Sequence, residues 1–106
     1  MSHQQQLLLK QNLTVPQILR IYGKHYRQIQ NQYSDGYNGR CAIGVLMSYF
    51  GWDGRIELDT ANDLIAISDV LKHANIEYDL LIDLNDSGYT FEEIADYLDR
   101  HHKIPN

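Results

Sequence analysis

Apolar residues recur at steps of three and four along most of the chain, the spacing of helices that bury one face. The first run opens at Leu13-Thr14-Val15-Pro16-Gln17. Thr14 and Gln17 form a capping box, Pro16 suits a first helical turn, and Leu13 can staple onto Ile18. Val15, Leu19, Tyr22, Tyr26, Ile29 and Tyr33 then mark a single stripe, so this helix is expected to continue to the Asp35-Gly36-Tyr37-Asn38-Gly39 turn. Residues 1–12 lack periodicity and read as a mobile N-terminal arm, with Leu7 to Leu9 available to dock on the body or on a neighbour.

Arg40 to Phe50 is apolar on nearly every side, which suits a short helix at the centre of a bundle, with a β-strand as the competing reading. Gly44 and Ser48, four apart, would let another helix approach closely, and Gly51 can end the element. After the turn at Gly51-Trp52-Asp53-Gly54, Asp59 or Thr60 is expected to cap a third helix. Its buried face would be Ala61, Leu64, Ile65, Ser68, Leu71 and Ala74, with Asn75 as a left-handed terminator. Ile76 to Leu84 is ambiguous, since Ile76 and Tyr78 alternate like a strand whereas Leu80, Leu81 and Leu84 are spaced like a short helix. Thr90 and Glu93 form a second capping box, Glu92 and Glu93 favour the positive end of the helix dipole, and Phe91, Ile94, Tyr97 and Leu98 make a buried face up to His101. The expected fold is mainly all-α: residues 13–104 as one compact domain of four to five short helices around a buried central helix. The α+β alternative has a short hairpin built from 41–46 or 76–82.

Composition narrows this picture. A chain of 106 residues, 43% hydrophobic and 22% charged, is an ordinary globular sequence with room for one core, and no apolar run is long enough for a membrane span. Cys41 is the single cysteine, so the core must hold the fold without a disulfide, and a reducing, cytoplasmic setting is expected. The first residues lack the basic segment and apolar stretch of a secretory signal. The net charge of −5 conceals an asymmetry: residues 1–55 sum to +4 and residues 56–106 to −9. All eight Gln lie in the first 32 residues. Such a division serves a contact within the chain, a head-to-tail contact, or two unlike faces for two partners.

Several segments carry candidate chemistry. On one long first helix, Arg20, Lys24 and Arg27 would stand at i, i+4 and i+7, a basic stripe able to hold phosphate groups. Arg40, beside the Gly39 turn, would be the fourth member, because backbone N–H groups at the start of a helix attract anions. A solvated helix face explains the same residues without a ligand. Asp83-Leu84-Asn85-Asp86-Ser87-Gly88 matches the first half of an EF-hand loop, giving a calcium alternative of Asp83, Asn85, Ser87 and Glu93. Its second half fails, because position twelve is Ile94, and turn chemistry accounts for the residue types. Gly88 to Ala95 has the look of the start of a helix-turn-helix, but the acidic surroundings lack the cations that DNA reading requires. Cys41 falls in the first turn of the second helix, where a thiolate is favoured, yet no His is spaced to activate it and a small buried residue is the plainer reading. His101-His102 is no metal pair, since adjacent helical residues diverge. Among the eight Tyr, Tyr33, Tyr37 and Tyr89 lie near turns and are candidates for partner contact.

Gly39 to Leu46 and Leu84 to Ala95 together resemble segments of small prokaryotic and phage-associated proteins with a Cys-Ala-x-Gly-x-Leu helix and a later Leu-Asn-Asp followed by a Thr/Ser-Phe-x-Glu-Ile-Ala helix. The first segment is also similar to one in a phage family that counters the Thoeris defence system by sequestering a cyclic ADP-ribose signal. The match spans about a fifth of the chain, and no binding residue is carried over from the sequestering family. The broader resemblance implies a domain type in which the Cys41 helix packs against the Leu84 to Ile94 turn.

These features point to a small, non-enzymatic interaction or regulatory protein that associates with itself or with another protein, without a cofactor or catalytic residue. The alternative is a sponge for a phosphorylated, including cyclic, nucleotide. The candidate contact residues are Arg20, Lys24, Arg27, Tyr37 and Arg40. Thr14, Gln17, Cys41, Gly44, Asn85, Gly88, Thr90 and Glu93 are expected to be structural.

Overall fold

A computed structural model describes residues 13–55 and 61–101 of the protein. The chain enters its first helix through the expected capping box: Thr14 Oγ1 accepts the Gln17 N–H at 3.3 Å, and Gln17 Oε1 accepts the Thr14 N–H at 2.9 Å. Helix α1 spans Val15–Tyr22 and buries Val15, Ile18 and Leu19. It does not reach Tyr33. After a 3₁₀ turn at Gly23–His25, Tyr26 is extended, and Arg27–Gln28 forms a strand, β1. Strand β2, Gly39–Arg40, lies parallel to it, with Arg27 opposite Gly39 and Gln28 opposite Arg40.

The expected helical stripe beyond Tyr22 is therefore corrected, and its residues have separate tertiary partners. Tyr26 packs beside the Arg40 guanidinium, the Ile29 carbonyl accepts from Asn85 Nδ2 at 2.8 Å, and the Tyr33 and Tyr78 hydroxyls are hydrogen-bonded. The backbone bonds that a longer helix would have made go to the ladder instead, with the Arg27 N–H donating to the Asn38 carbonyl and the Ile29 N–H to the Arg40 carbonyl, both at 3.0 Å.

Helix α2, Ala42–Tyr49, is the buried centre, and neither 41–46 nor 76–82 forms a hairpin. Ala42, Ile43, Gly44, Val45, Leu46 and Met47 are all buried. Cys41 is its N-cap rather than a first-turn residue, with Sγ accepting from the Gly44 N–H at 3.4 Å. Gly51 follows the C-cap with a φ of 111°, as a left-handed terminator should. The close approach at Gly44 involves a loop, not another helix. A Cβ there would collide with the Tyr33 carbonyl oxygen, and Ser48 receives a hydrogen bond from Arg40 Nε at 2.8 Å.

Helix α3 spans Ala61–His73 and turns Ile67 and Leu71 into the core. The expected buried face is rotated: Ile65 is 60% exposed and Ser68 is exposed, while Leu64 and Ala74 are partly buried. The expected caps Asp59 and Thr60 lie outside the described residues, as do the 1–12 arm and His102. Asn75 terminates α3 with a φ of 59°. Helix α4, Tyr78–Asp86, resolves the ambiguous segment and buries Leu81, Leu84 and Asn85. Helix α5, Phe91–His101, buries Phe91, Ile94, Ala95 and Leu98. Its capping box is present, with Thr90 N–H to Glu93 Oε1 and Glu93 N–H to Thr90 Oγ1 both at 3.0 Å. The architecture is mainly helical with a two-strand ladder. Around α2 stand α1, α3 and α4, while α5 covers α1.

Asn85 joins these parts. Fully buried, it accepts the Ala42 N–H at 3.0 Å and the Gln28 amide at 2.9 Å through Oδ1, and donates through Nδ2 to the Ile29 carbonyl. Gln28 in turn donates to the Tyr89 carbonyl at 2.6 Å and accepts the Phe91 N–H at 3.0 Å. The first N–H of α2 and that of α5 are thus satisfied by amides distant in sequence. The Cys41 helix and the segment beginning at Leu84 do pack together. Asn85→Ala would leave the Ala42 N–H and Ile29 carbonyl without these partners, at about 1–3 kcal/mol per buried group. Urea unfolding should show a loss of about 3 kcal/mol, and a loss below about 1 kcal/mol would contradict this role.

Candidate functional site

The basic residues singled out by the sequence do not share a helical face. Arg20, on α1, meets Asp96 and Asp99 of α5, each at 2.7 Å. Its hydrogen bonds to Asp96 and Asp99 raise its pKa further. Lys24 is exposed in the 3₁₀ turn. Arg27 lies on β1 rather than on the helix, and its Nη2 is 2.5 Å from Asp35 Oδ2. The charge asymmetry is thus used in part within the chain, since Arg20 carries it across to the acidic last helix.

Arg40 turns inward and is only 5% exposed. Its Nε donates to Ser48 Oγ at 2.8 Å, and its Nη1 donates to Ser34 Oγ at 3.0 Å and to the carbonyls of Tyr37 and Gly39 at 2.9 and 2.8 Å. The guanidinium carbon lies 4.8 Å from the Tyr26 ring centre and 5.6 Å from that of Trp52. Gly54 abuts Nη2 so closely that a Cβ would collide with it. Arg40 is therefore enclosed by neutral acceptors and aromatic faces, an environment in which a delocalised, weakly hydrated cation is tolerated better than an ammonium. It braces the preceding loop instead of standing at an exposed turn.

That loop is held at almost every position. Ser34 is fully buried, and its Oγ accepts the Gly36 N–H at 2.9 Å. Asp35 Oδ1 accepts the N–H groups of Tyr37 at 2.8 Å and Gly39 at 3.0 Å. These N–H donors, Tyr37 first, with Arg27 adding to them, hold the Asp35 carboxyl below its ordinary value. At the tip, Tyr37 is 85% exposed. A rigid, polar-braced turn thus presents one bare aromatic ring.

Asp83 and Asn85 lie in the last turns of α4, Ser87 is its C-cap, Gly88 follows with a left-handed φ of 98°, and Glu93 closes the α5 capping box. The half EF-hand is therefore a helix end rather than a calcium loop, and Asn85 is turned into the core. Among the described residues no group of three or more His, Cys, Asp or Glu is placed to hold a metal ion. Burial pushes the Cys41 thiol pKa up, opposite to the direction that nucleophilic reactivity requires. Tyr89 is exposed, whereas Tyr33 is partly buried against Tyr78.

One feature was not anticipated. A groove of about 470 Å³ lies where α3 passes into α4, lined by Leu71, Ile76 and Tyr78 with Ser68, Lys72 and Glu77 among its polar residues. The exposed Ile65 precedes Ser68 by one helical turn. Two signals in the sequence bore on it, the surplus of apolar residues on the third helix and the Asn75 turn. The burial of Leu71 was expected, whereas the burial of Ile67 in place of Ile65 could not be read from them.

Among the described residues no helix is long and apolar enough to cross a membrane. No family model matches the sequence, and searches of curated proteins and of solved structures find no match.

Two measurements check the site. Because the folded pKa of Asp35 is depressed, its contribution to stability is present above the ordinary value of 3.8 and is lost as pH falls through the lower folded value. Asp35→Asn should therefore lower the Tm at pH 6, and the gap from the parent should narrow below pH 3.8; a gap constant down to pH 2 would contradict this. Cys41 should react with a thiol reagent only as fast as the protein opens, so native labelling should accelerate with urea in step with unfolding. Labelling as fast as a free thiol in buffer would contradict its burial.

Proposed function

We propose that the protein is a small non-enzymatic interaction protein that offers Tyr37 as an anchor to a protein partner. The supporting observation is the contrast between Tyr37, 85% exposed, and the loop beneath it, held by Asp35, Ser34 and the buried Arg40. Burying a guanidinium is expensive unless its donors are met, and here three of its hydrogen bonds go to the loop itself. A turn fixed this way loses little conformational freedom when it binds, which is how preorganisation raises affinity. Tyrosine suits the role, because it offers a large amphipathic surface with few rotors and is enriched among residues that dominate binding energy.

The surroundings support a protein partner. Most acidic side chains of α4 and α5 are exposed, so the partner surface is expected to include basic groups. Arg20 and Arg27 are engaged with carboxylates of the same chain and offer little for holding a multiply charged small molecule.

A photo-crosslinking amino acid at position 37, introduced in the host cell, tests this reading. One discrete protein adduct is expected, absent when the same group stands at the exposed Asp83. Equal, diffuse crosslinking from both positions would overturn it.

A further inference from the structure

We propose that the Asp53-Gly54 turn is a site of spontaneous covalent modification, where the chain converts to an isoaspartyl linkage, and that this conversion loosens the enclosure of Arg40. The inference goes beyond the reading of Tyr37 as an anchor and does not depend on it. The chain holds three pairs in which a side-chain carboxyl or amide precedes glycine: Asp35-Gly36, Asn38-Gly39 and Asp53-Gly54. Such pairs rearrange readily, because glycine has no Cβ to shield its amide nitrogen.

The reaction at Asp53 needs no partner other than water. The Gly54 nitrogen attacks the protonated carboxyl at Cγ, a new C–N bond closes a five-membered imide, and the carboxyl hydroxyl leaves with the nitrogen's proton as water. Water then opens the imide at the main-chain carbonyl. The original peptide bond is lost, the chain now runs through Cβ and Cγ, and the atoms of the protein are unchanged in number.

The fold closes two of the three pairs to this chemistry. Gly36 donates its N–H to Ser34 Oγ at 2.9 Å, and the Asp35 carboxylate is held by the Tyr37 and Gly39 N–H groups and by Arg27, leaving its side chain 17% exposed. Gly39 is buried on β2 with its N–H on Asp35 Oδ1 at 3.0 Å, and the Asn38 carbonyl accepts the Arg27 N–H at 3.0 Å. Neither glycine nitrogen can turn onto the preceding side chain without breaking these bonds.

Asp53 is placed otherwise. Its side chain is 65% exposed, and Oδ1 accepts the Arg55 N–H at 3.0 Å, a turn that folds the carboxyl back along the Gly54 peptide between them. The Gly54 N–H donates to no described residue. The remaining contact of the carboxylate, with Arg55 Nε at 3.7 Å, joins two exposed side chains and holds it weakly.

The same turn touches the Arg40 enclosure. Gly54 abuts Nη2, and the Trp52 ring lies 5.6 Å from the guanidinium carbon. An isoaspartyl linkage lengthens the main chain immediately before Gly54 and displaces it from that contact. Arg40 Nη1 holds Ser34 Oγ and the carbonyls of Tyr37 and Gly39, so a change at position 53 reaches the 34–39 turn.

The experiment holds the purified full chain for weeks at neutral pH, native and in urea, and locates isoaspartate after digestion by mass spectrometry with electron-transfer fragmentation. Asp53→Glu runs beside it, since the longer side chain would have to close a larger, slower-forming ring. In the native chain, isoaspartate is expected at position 53 about tenfold or more faster than at 35 or 38, because closed sites react only through local opening. In urea the order should reverse and Asn38 should lead, since an amide loses ammonia more readily than a carboxyl loses water. Asp53→Glu should show no modification at 53. In the chromatographically separated isoaspartyl form, the Tyr37 and Gly39 amides should exchange hydrogen about tenfold or more faster than in the parent. Native isoaspartate that appears first at 35 or 38, or none at 53, overturns the site. An isoaspartyl form whose Tyr37 and Gly39 amides exchange at the parent rate overturns the link to Arg40.

Discussion

One buried amide holds the fold together. Asn85 reaches the start of the central helix through Ala42, the chain after β1 through Ile29, and the Gln28 side chain that serves the start of the last helix. In an apolar interior each of these groups would be costly to leave unpaired, and their satisfaction in one place fixes where α2, α4 and α5 stand relative to each other. Shape complementarity of Leu, Ile and Val side chains alone permits several packings. The amide network adds directional contacts that those side chains lack.

Arg40 plays a comparable part for the surface. A cation is normally kept in water, and here it is enclosed by serines, carbonyls and two aromatic faces. The consequence is local rigidity at the 34–39 turn, because loosening the turn would strip the guanidinium of its acceptors. The two networks meet at adjacent residues. Arg40 ends β2, Cys41 caps α2, and Ala42 donates its N–H to Asn85, so the braced loop and the core amide are set by three consecutive positions.

What the sequence disclosed follows from how local each determinant is. Both capping boxes, the buried character of residues 42–49, the Asn75 terminator and the last helix were legible, because their partners lie within a few positions. The extension of the first helix to Tyr33 was misread because Tyr26, Ile29 and Tyr33 keep a helical spacing while their partners are Arg40, Asn85 and Tyr78. Ile65 and Ile67 are equally apolar, and only the orientation imposed by α2 decides which is buried. The basic stripe dissolved for the same reason: Arg20 finds carboxylates on α5, and Arg27 finds one across the loop. Tyr37 was visible as a tyrosine near a turn, but the bracing that fixes it was not. The function readings rest on the site and on that bracing, with no matched relative beside them.

The span of the polar contacts also shapes how such a chain acquires its structure. Helical proteins usually fold quickly because most of their contacts are short-range. Here the first N–H of α2 finds its acceptor 43 positions later, that of α5 finds its acceptor 63 positions earlier, and Arg20 finds Asp96 after 76. Helix α1 lies against α5, so its buried face has no complete neighbour until the end of the described chain has been made. During synthesis the first helix waits for the last, and the order in which the elements emerge from the ribosome is not the order in which they can become stable.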